Sequence, residues 1–161
     1  MIALIVAYAK NYVIGNKGCI PWKIKGEQKR FRELTTGNVV VMGRRSYEEI
    51  GKPLPNRTTV VVSRTKVFTG ENCYTVGSLQ EAIALAKERD VFISGGAGLY
   101  EEALQIAEKM YITEIDAIIE GDTYFPRFDE NDFIREVNES FDGDIPYTYV
   151  TYTRKKQQSR I

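Results

Sequence analysis

The stretch VFISGGAGLYEEALQIAEKMYITEI, Val91–Ile115, decides the fold class. It opens on a short apolar run, Val91–Ser94, and passes through Gly95-Gly96-Ala97-Gly98. A helical pattern over Leu99–Lys109 follows, burying Leu99, Tyr100, Ala103, Leu104 and Ala107, and a second apolar run, Met110–Ile115, closes it. Strand, glycine turn, helix and strand in this order belong to an α/β protein with parallel strands. Outward from there the alternation recurs. Ile2–Ala9 is almost unbroken apolar sequence, as a strand buried on both faces requires, and Asn38–Met42 and Thr58–Val62 are shorter runs rich in Val. Between them, Glu27–Thr35 sets Phe31 and Leu34 on one helical stripe with Gly37 as a stop, and Ser46–Ile50 forms a short helix. Ser78 with Glu81 forms a capping box ahead of Leu79, Ala82, Ile83 and Ala86. Towards the C-terminus, Asp132–Phe141 and Tyr147–Arg154 read as strands joined by turn residues Asp142–Pro146. The pattern predicts one α/β domain over residues 1–161. Its centre is a mixed, mainly parallel sheet of about eight strands, with about four helices on both faces and an antiparallel C-terminal hairpin. The polar tail Lys155–Ile161 reads as a frayed terminus.

Composition removes several function classes. With 22 Lys+Arg against 22 Asp+Glu, the chain lacks the basic excess of a general nucleic-acid binder. No apolar run approaches the ~20 residues of a membrane span. Met1–Ala9 is too short for a signal peptide and has no basic flank, so a cytoplasmic protein is expected. The histidine count is zero, which excludes Ser-His-Asp and Cys-His nucleophiles and HExxH zinc sites. Cys19 and Cys73 form no CxxC, so no metal site is expected and both thiols are read as free. Any chemistry falls to carboxylates, Lys, Arg, Ser, Thr or Tyr, or to a cofactor.

Gly95-Gly96-Ala97-Gly98 at a strand-to-helix turn is a phosphate site on paper, or simply a tight turn. It is not the dinucleotide fingerprint, because Glu101 stands where the third glycine of GxGxxG belongs. A second such turn, Gly43-Arg44-Arg45-Ser46, follows another strand, and Thr58–Val62 ends in Ser63-Arg64. Ligands of open α/β sheets bind beyond the carboxyl ends of parallel strands. Glycine turns, Ser hydroxyls and arginines at those ends suit a ligand with several phosphates, and a phosphorylated dinucleotide such as NADP fits. Glu27 lies on the apolar stripe of its helix, while Lys29, Arg30 and Arg32 are expected to face elsewhere. Glu27 is then either a first-turn partner of the helix dipole or a partly buried acid that binds a cationic or amidine-like ring and manages a proton. Gly15–Trp22, ending in Ile20-Pro21-Trp22, is a lid or a surface turn, and Pro53-Leu54-Pro55-Asn56-Arg57 is a stiff turn that aims Arg57.

Taken together, these segments resemble dihydrofolate reductase over nearly the whole chain. The resemblance is carried by the Ile2–Ala9 strand, Val13-Ile14-Gly15, Ile20-Pro21-Trp22, Val41-Met42-Gly43-Arg44 and Pro53-Leu54-Pro55 with Arg57. It continues through Ser94-Gly95-Gly96, Tyr100-Glu101, Thr113, Ile115-Asp116, Glu120-Gly121-Asp122 and Phe125-Pro126. None is specific alone; their order and spacing are.

The resemblance implies NADPH-dependent reduction of 7,8-dihydrofolate to 5,6,7,8-tetrahydrofolate in one-carbon metabolism, with hydride to C6 and a proton to N5. Glu27 would bind the pterin 2-amino group and ring NH, with Thr113 bonded to Glu27 and, through water, to the pterin. Trp22 would order the water that relays the proton, and Tyr100 would line the nicotinamide pocket. Ile5, Val6, Phe31, Ile50, Leu54 and Ser94 would contact substrate, and Arg57 would pair with the α-carboxylate of its glutamate tail. Ala7, Ile14, Gly15, Ile20, Gly43, Arg45, Ser46, Ser94 and the Gly95-Gly96-Ala97-Gly98-Leu99 turn would contact the cofactor. Arg44, Ser63 and Arg64 would hold its 2′-phosphate, and Gly121 and Asp122 would steady the Gly15–Trp22 loop. The chain departs from the common bacterial pattern at Glu27, where Asp is frequent, at Gln28 and at Ser94; this looks like the pattern of trimethoprim-insensitive members. Partners would be dihydrofolate and antifolate inhibitors, with no nucleic acid and no membrane, and the chain would be a monomer. The nearest rival is the deaminated-pyrimidine ribosyl reductase of riboflavin synthesis. Its substrate has a phosphate and no glutamate tail, so Glu27 with Arg57 speaks against it. A non-catalytic nucleotide-binding module is the rival of a different class.

Overall fold

The strand β1 (Ile2–Ala9) organises the molecule because both of its faces are buried. Leu4, Val6 and Tyr8 point to one side and Ala3 and Ile5 to the other, so each row feeds a different core cluster. The computed structural model describes residues 1–15 and 26–156. After β1 the chain forms β2 (Val13–Gly15), α1 (Glu27–Thr35), β3 (Val39–Gly43), α2 (Arg44–Ile50), β4 (Thr58–Val62) and β5 (Cys73–Val76). There follow α3 (Leu79–Ala86), β6 (Val91–Ile93), α4 (Ala97–Ala103), β7 (Lys109–Ile115), β8 (Thr123–Tyr124), β9 (Phe133–Phe141) and β10 (Tyr147–Arg154).

Eight strands make one sheet in the order β5-β4-β3-β6-β1-β7-β10-β9. From β5 to β7 every pairing is parallel, and β10 joins β7 and β9 antiparallel. Phe31 and Leu34 of α1 pack on Ala3, Ile5 and Phe92, while Leu79 and Ala82 of α3 and Leu99 and Ala103 of α4 cover the opposite face. Each fully buried Leu or Ile there, such as Leu4, Ile93 and Ile112, contributes roughly 1.5–3 kcal/mol of apolar transfer. Among the described residues no helix is long and apolar enough to cross a membrane.

Where the structure differs from the sequence pattern, distant contacts decide. The helix expected over Leu99–Lys109 starts at Ala97 and ends at Ala103, and Lys109 is the first residue of β7. Its end is set from outside: Glu108 N–H donates to the Ile2 carbonyl at 2.8 Å. Arg154 of β10 donates to the carbonyls of Leu104, which caps the helix, and of Ala107 beyond it. The strand β5 escapes the apolar pattern because only Cys73 in it is buried. β2 and β8 form a separate small antiparallel pair too short to carry a pattern. Cys73 is a buried free thiol, whereas Cys19 lies outside the described residues.

Candidate active site

Parallel pairing brings the carboxyl ends of β1, β3, β4, β6 and β7 to one edge of the sheet, and two groups of functional side chains stand there. The first is built on α1 and β7. Gly26 takes a left-handed turn, with φ 93°, just before the helix, and Glu27 is its first residue. The Thr113 hydroxyl donates to the Glu27 carboxylate, 3.0 Å from Oε1 and 2.9 Å from Oε2. Register sets Thr113 between Ala7 of β1 and Tyr149 of β10. Burial pushes the Glu27 carboxyl above its ordinary value; the Thr113 hydrogen bond and the Arg30 charge pull the other way without cancelling it.

Arg30 corrects the expectation that it faces away. Three residues after Glu27 it lies on the same side of the helix, and its long stem reaches the sheet. Its Nη1 donates to Thr113 Oγ1 at 3.1 Å and to the Ile112 carbonyl at 3.4 Å, and its guanidinium lies 4.0 Å from the Tyr149 ring centroid. Tyr100 is buried and its hydroxyl donates to the Ile5 carbonyl at 2.9 Å. Burial, then the Glu27 charge, push its phenol far above the ordinary value, so it keeps its proton. Ile5 and Val6 are buried beside this group. Farther along, Phe31 of α1 and Leu54 both pack against the buried cluster of Val40, Met42, Tyr47 and Val61. Arg57 is 6% exposed, with Nε donating to the Pro55 carbonyl at 3.0 Å and Nη1 to Thr35 Oγ1 at 3.1 Å; the stiff turn does hold it in one direction. Ile50 stands exposed at the end of α2.

The second group is a crossing of two glycine turns. Gly43 N–H donates to the Gly95 carbonyl at 2.8 Å and Ser94 N–H to the Val41 carbonyl at 2.9 Å. The Gly95–Gly96 peptide is cis and Gly95 has φ 123°. A Cβ at Gly95 would lie 3.2 Å from Ser46 Oγ, and one at Gly43 would lie 3.6 Å from the Gly96 nitrogen. Gly98, by contrast, faces open space next to Ala97 and Leu99 at the start of α4. Arg44 bonds through Nε to Glu48 at 2.7 Å and through Nη1 to Thr65 Oγ1 at 3.1 Å. Ser63 Oγ accepts from Thr65 and Lys66 N–H groups, while Arg45 and Arg64 are exposed. Next to β2, Asp122 N–H donates to the Gly15 carbonyl at 3.0 Å, and a Cβ on Gly121 would lie 2.6 Å from that same oxygen. The contact expected between Gly121-Asp122 and the chain after Ile14 is therefore present at its Gly15 end. Ile20 and Trp22 lie outside the described residues.

With this geometry in place, a family model described as dihydrofolate reductase matches residues 1–154. The chain belongs to the dihydrofolate reductase family. It is 42% identical to dihydrofolate reductase type A13 of Escherichia coli over 156 residues, 96% of this chain and 94% of that protein. It is 37% identical to the dihydrofolate reductase of Staphylococcus aureus, covering 96% and 99% of the two chains. The solved dihydrofolate reductase of Enterococcus faecalis, complexed with NADP(H) and RAB-propyl, superimposes with a TM-score of 0.84 at 32% identity and 97% coverage of each chain. Within this dihydrofolate reductase fold, sequence reasoning missed Arg30, Thr65 and Glu48. Thr65 had a signal, since it follows Ser63-Arg64 directly. Arg30 had one in its three-residue spacing from Glu27.

Proposed function

We propose that the chain reduces 7,8-dihydrofolate to 5,6,7,8-tetrahydrofolate with NADPH, as a single catalytic domain over residues 1–161. The observation that carries the reading is the half-buried Glu27 carboxylate, hydrogen-bonded by Thr113 at 2.9–3.0 Å at the carboxyl edge of a parallel sheet. Burial raises the acid above its ordinary value, which suits a group that binds a pterin amine and ring NH and helps deliver a proton towards N5. The residues present fit NADPH. Gly95, at φ 123° and with Ser46 Oγ 3.2 Å from where a Cβ would stand, is the position at the crossing that favours glycine, and Gly98 keeps open space where a pyrophosphate would lie. Arg44, Ser63, Thr65 and Arg64 supply cationic and hydroxyl donors for a 2′-phosphate, and Ser46 stands beside the glycines. When bound, NADPH supplies the hydride. The protein's part is position and proton control: Glu27 with Thr113 orients the pterin, Phe31 and Leu54 wall the aminobenzoyl ring, and Arg57 holds the tail carboxylate. Ile50, Ser94, Ile5 and Val6 complete the substrate contacts, and Ala7, Ile14, Gly15, Arg45, Ala97, Leu99 and Tyr100 those of the cofactor. Trp22 and Ile20 belong to the same reading.

Trimethoprim insensitivity is part of the proposal. Glu is longer than Asp by one C–C bond, roughly 1.5 Å, which sets a bound diaminopyrimidine outward. The Ile5 carbonyl it would reach for already accepts from Tyr100. The chain would act as a cytoplasmic monomer. The test is NADPH consumption followed by near-ultraviolet absorbance, with 7,8-dihydrofolate and with a deaminated ribosylamino-pyrimidine phosphate as alternative substrates. Consumption with dihydrofolate alone is expected. Consumption with the phosphate only would select the riboflavin-type rival, and none with either would leave a binding module.

A further inference from the structure

We propose that Arg30, held between Thr113 and the Tyr149 ring, is a positioning residue that aims the Thr113 hydroxyl at Glu27 and sets the pH range over which the site takes up its proton. The proposal rests on the reductase reading for its kinetic consequence, but its structural basis is independent of substrate. A threonine hydroxyl has one proton to give. Arg30 Nη1 donates to Thr113 Oγ1 at 3.1 Å, and an arginine can only donate. The Thr113 oxygen is thereby taken as acceptor, and its proton is directed at the Glu27 carboxylate, 2.9–3.0 Å away. Arg30 cannot swing aside easily. The Ile112 carbonyl accepts from the same Nη1 at 3.4 Å, and Tyr149 packs on the flat of the guanidinium at 4.0 Å. Tyr147 and Tyr149 in turn close over the turn at Gly26, where their hydroxyls would lie 3.8 and 3.7 Å from an added Cβ.

The electrostatic consequence has a definite sign. Among the described residues, the polar and charged groups that act on Glu27 or on its partners are Arg30 on α1, Thr113 and Tyr111 on β7, Tyr147 and Tyr149 on β10 and Tyr100 on α4. Burial raises the Tyr100 and Tyr149 phenols, so both stay neutral near neutral pH and Arg30 is the fixed charge. It favours the carboxylate, as does a hydroxyl donating to it, and both oppose the effect of burial. Removing Arg30 takes away the charge and leaves the Thr113 proton undirected. The acid should then hold its proton to higher pH, and a rate that requires that proton should persist to higher pH.

The experiment is a carbon-13 NMR titration of the Glu27 carboxyl in the free protein, for wild type, Arg30→Met, Arg30→Gln and Arg30→Lys. Single-turnover hydride transfer from NADPH to dihydrofolate is measured over the same pH range. The midpoint should rise by about one pH unit in Arg30→Met, which loses charge and donor, and by less in Arg30→Gln, which loses the charge alone, with the alkaline limb of the rate profile following it, and Arg30→Lys should restore most of the wild-type value. Arg30→Gln keeps a donor for Thr113 and carries the test if Arg30→Met does not fold. Unchanged midpoints in both neutral variants would overturn the proposal. Absence of turnover in the wild type would count against the reductase reading alone, since the titration needs no substrate.

Discussion

The two ends of the cleft are built on different physics. At the acid end, Glu27, Thr113 and Arg30 are half-buried or buried and locked to one another across α1 and β7. At the phosphate end, Arg44 and Glu48 form an i,i+4 pair with side chains 47% and 40% exposed, and Arg45 and Arg64 stand in solvent. Charges in the first place act on one another through protein. In the second they act through water and are screened by salt. The acid end is thus organised before any ligand arrives, whereas under the proposed function Arg44 would exchange Glu48 for a phosphate. Changes at the acid end should therefore alter chemistry and pH dependence, and changes at the other end should alter only which cofactor binds.

The largest effect should come from the acid end. Glu27→Gln keeps a hydrogen-bond acceptor for Thr113 but cannot titrate, so turnover at neutral pH should fall by about 10²–10⁴ while NADPH binding is retained. Cofactor fluorescence titration beside the steady-state assay checks both halves of the statement. Next comes the inhibitor. Shortening the acid in Glu27→Asp, alone or with Gln28→Leu, should tighten trimethoprim by roughly 30- to 1000-fold, equivalent to about 2–4 kcal/mol. Low-nanomolar inhibition of the wild type, or no gain in either variant, would end that part of the account.

The phosphate end should respond more modestly and selectively. Arg44→Ala should weaken NADPH by roughly 10- to 150-fold, the range for a charge-assisted phosphate contact, and should leave NADH nearly unchanged. The loss should shrink as salt is added. Equal losses for both cofactors would show that Arg44 does not read the 2′-phosphate. The smallest effect is on stability. Because the Glu27 carboxyl is raised in the folded state, the fold is favoured below the ordinary carboxylate range and loses that advantage as pH rises through the raised value. Glu27→Gln should thus melt higher than wild type at neutral pH, by about 2–4 °C for each kcal/mol relieved, and the gap should close at acid pH. A melting curve at each pH decides it.

What the sequence made legible follows the same divide between local and distant causes. The Val- and Ile-rich runs of β1, β3, β4, β6 and β7 are readable because strands buried on both faces need no partner to be recognised. The start of α3 is readable because Ser78 Oγ accepts from Glu81 N–H at 3.1 Å within one turn. Glu27 is readable from its place on the stripe of Phe31 and Leu34. The end of α4 is not, since the chain that leaves it is held by the Ile2 carbonyl of β1 and by Arg154 from β10. Nor is the inward turn of Arg30, whose partner Thr113 lies 83 residues away. The phosphate end was legible as a set of residue types, but the Arg44–Glu48 pair that occupies it was not, although its four-residue spacing was on view.

One measurement bears most directly on the claim that Glu27 governs proton delivery in a hydride-transfer site. It is the single-turnover rate of NADPH oxidation by 7,8-dihydrofolate as a function of pH, in wild type and Glu27→Gln. The wild-type rate should fall about tenfold per pH unit above its midpoint, as a single required proton demands, and the variant should be slow with that limb absent. The same limb in both proteins, or wild-type rates in the variant, would contradict the account.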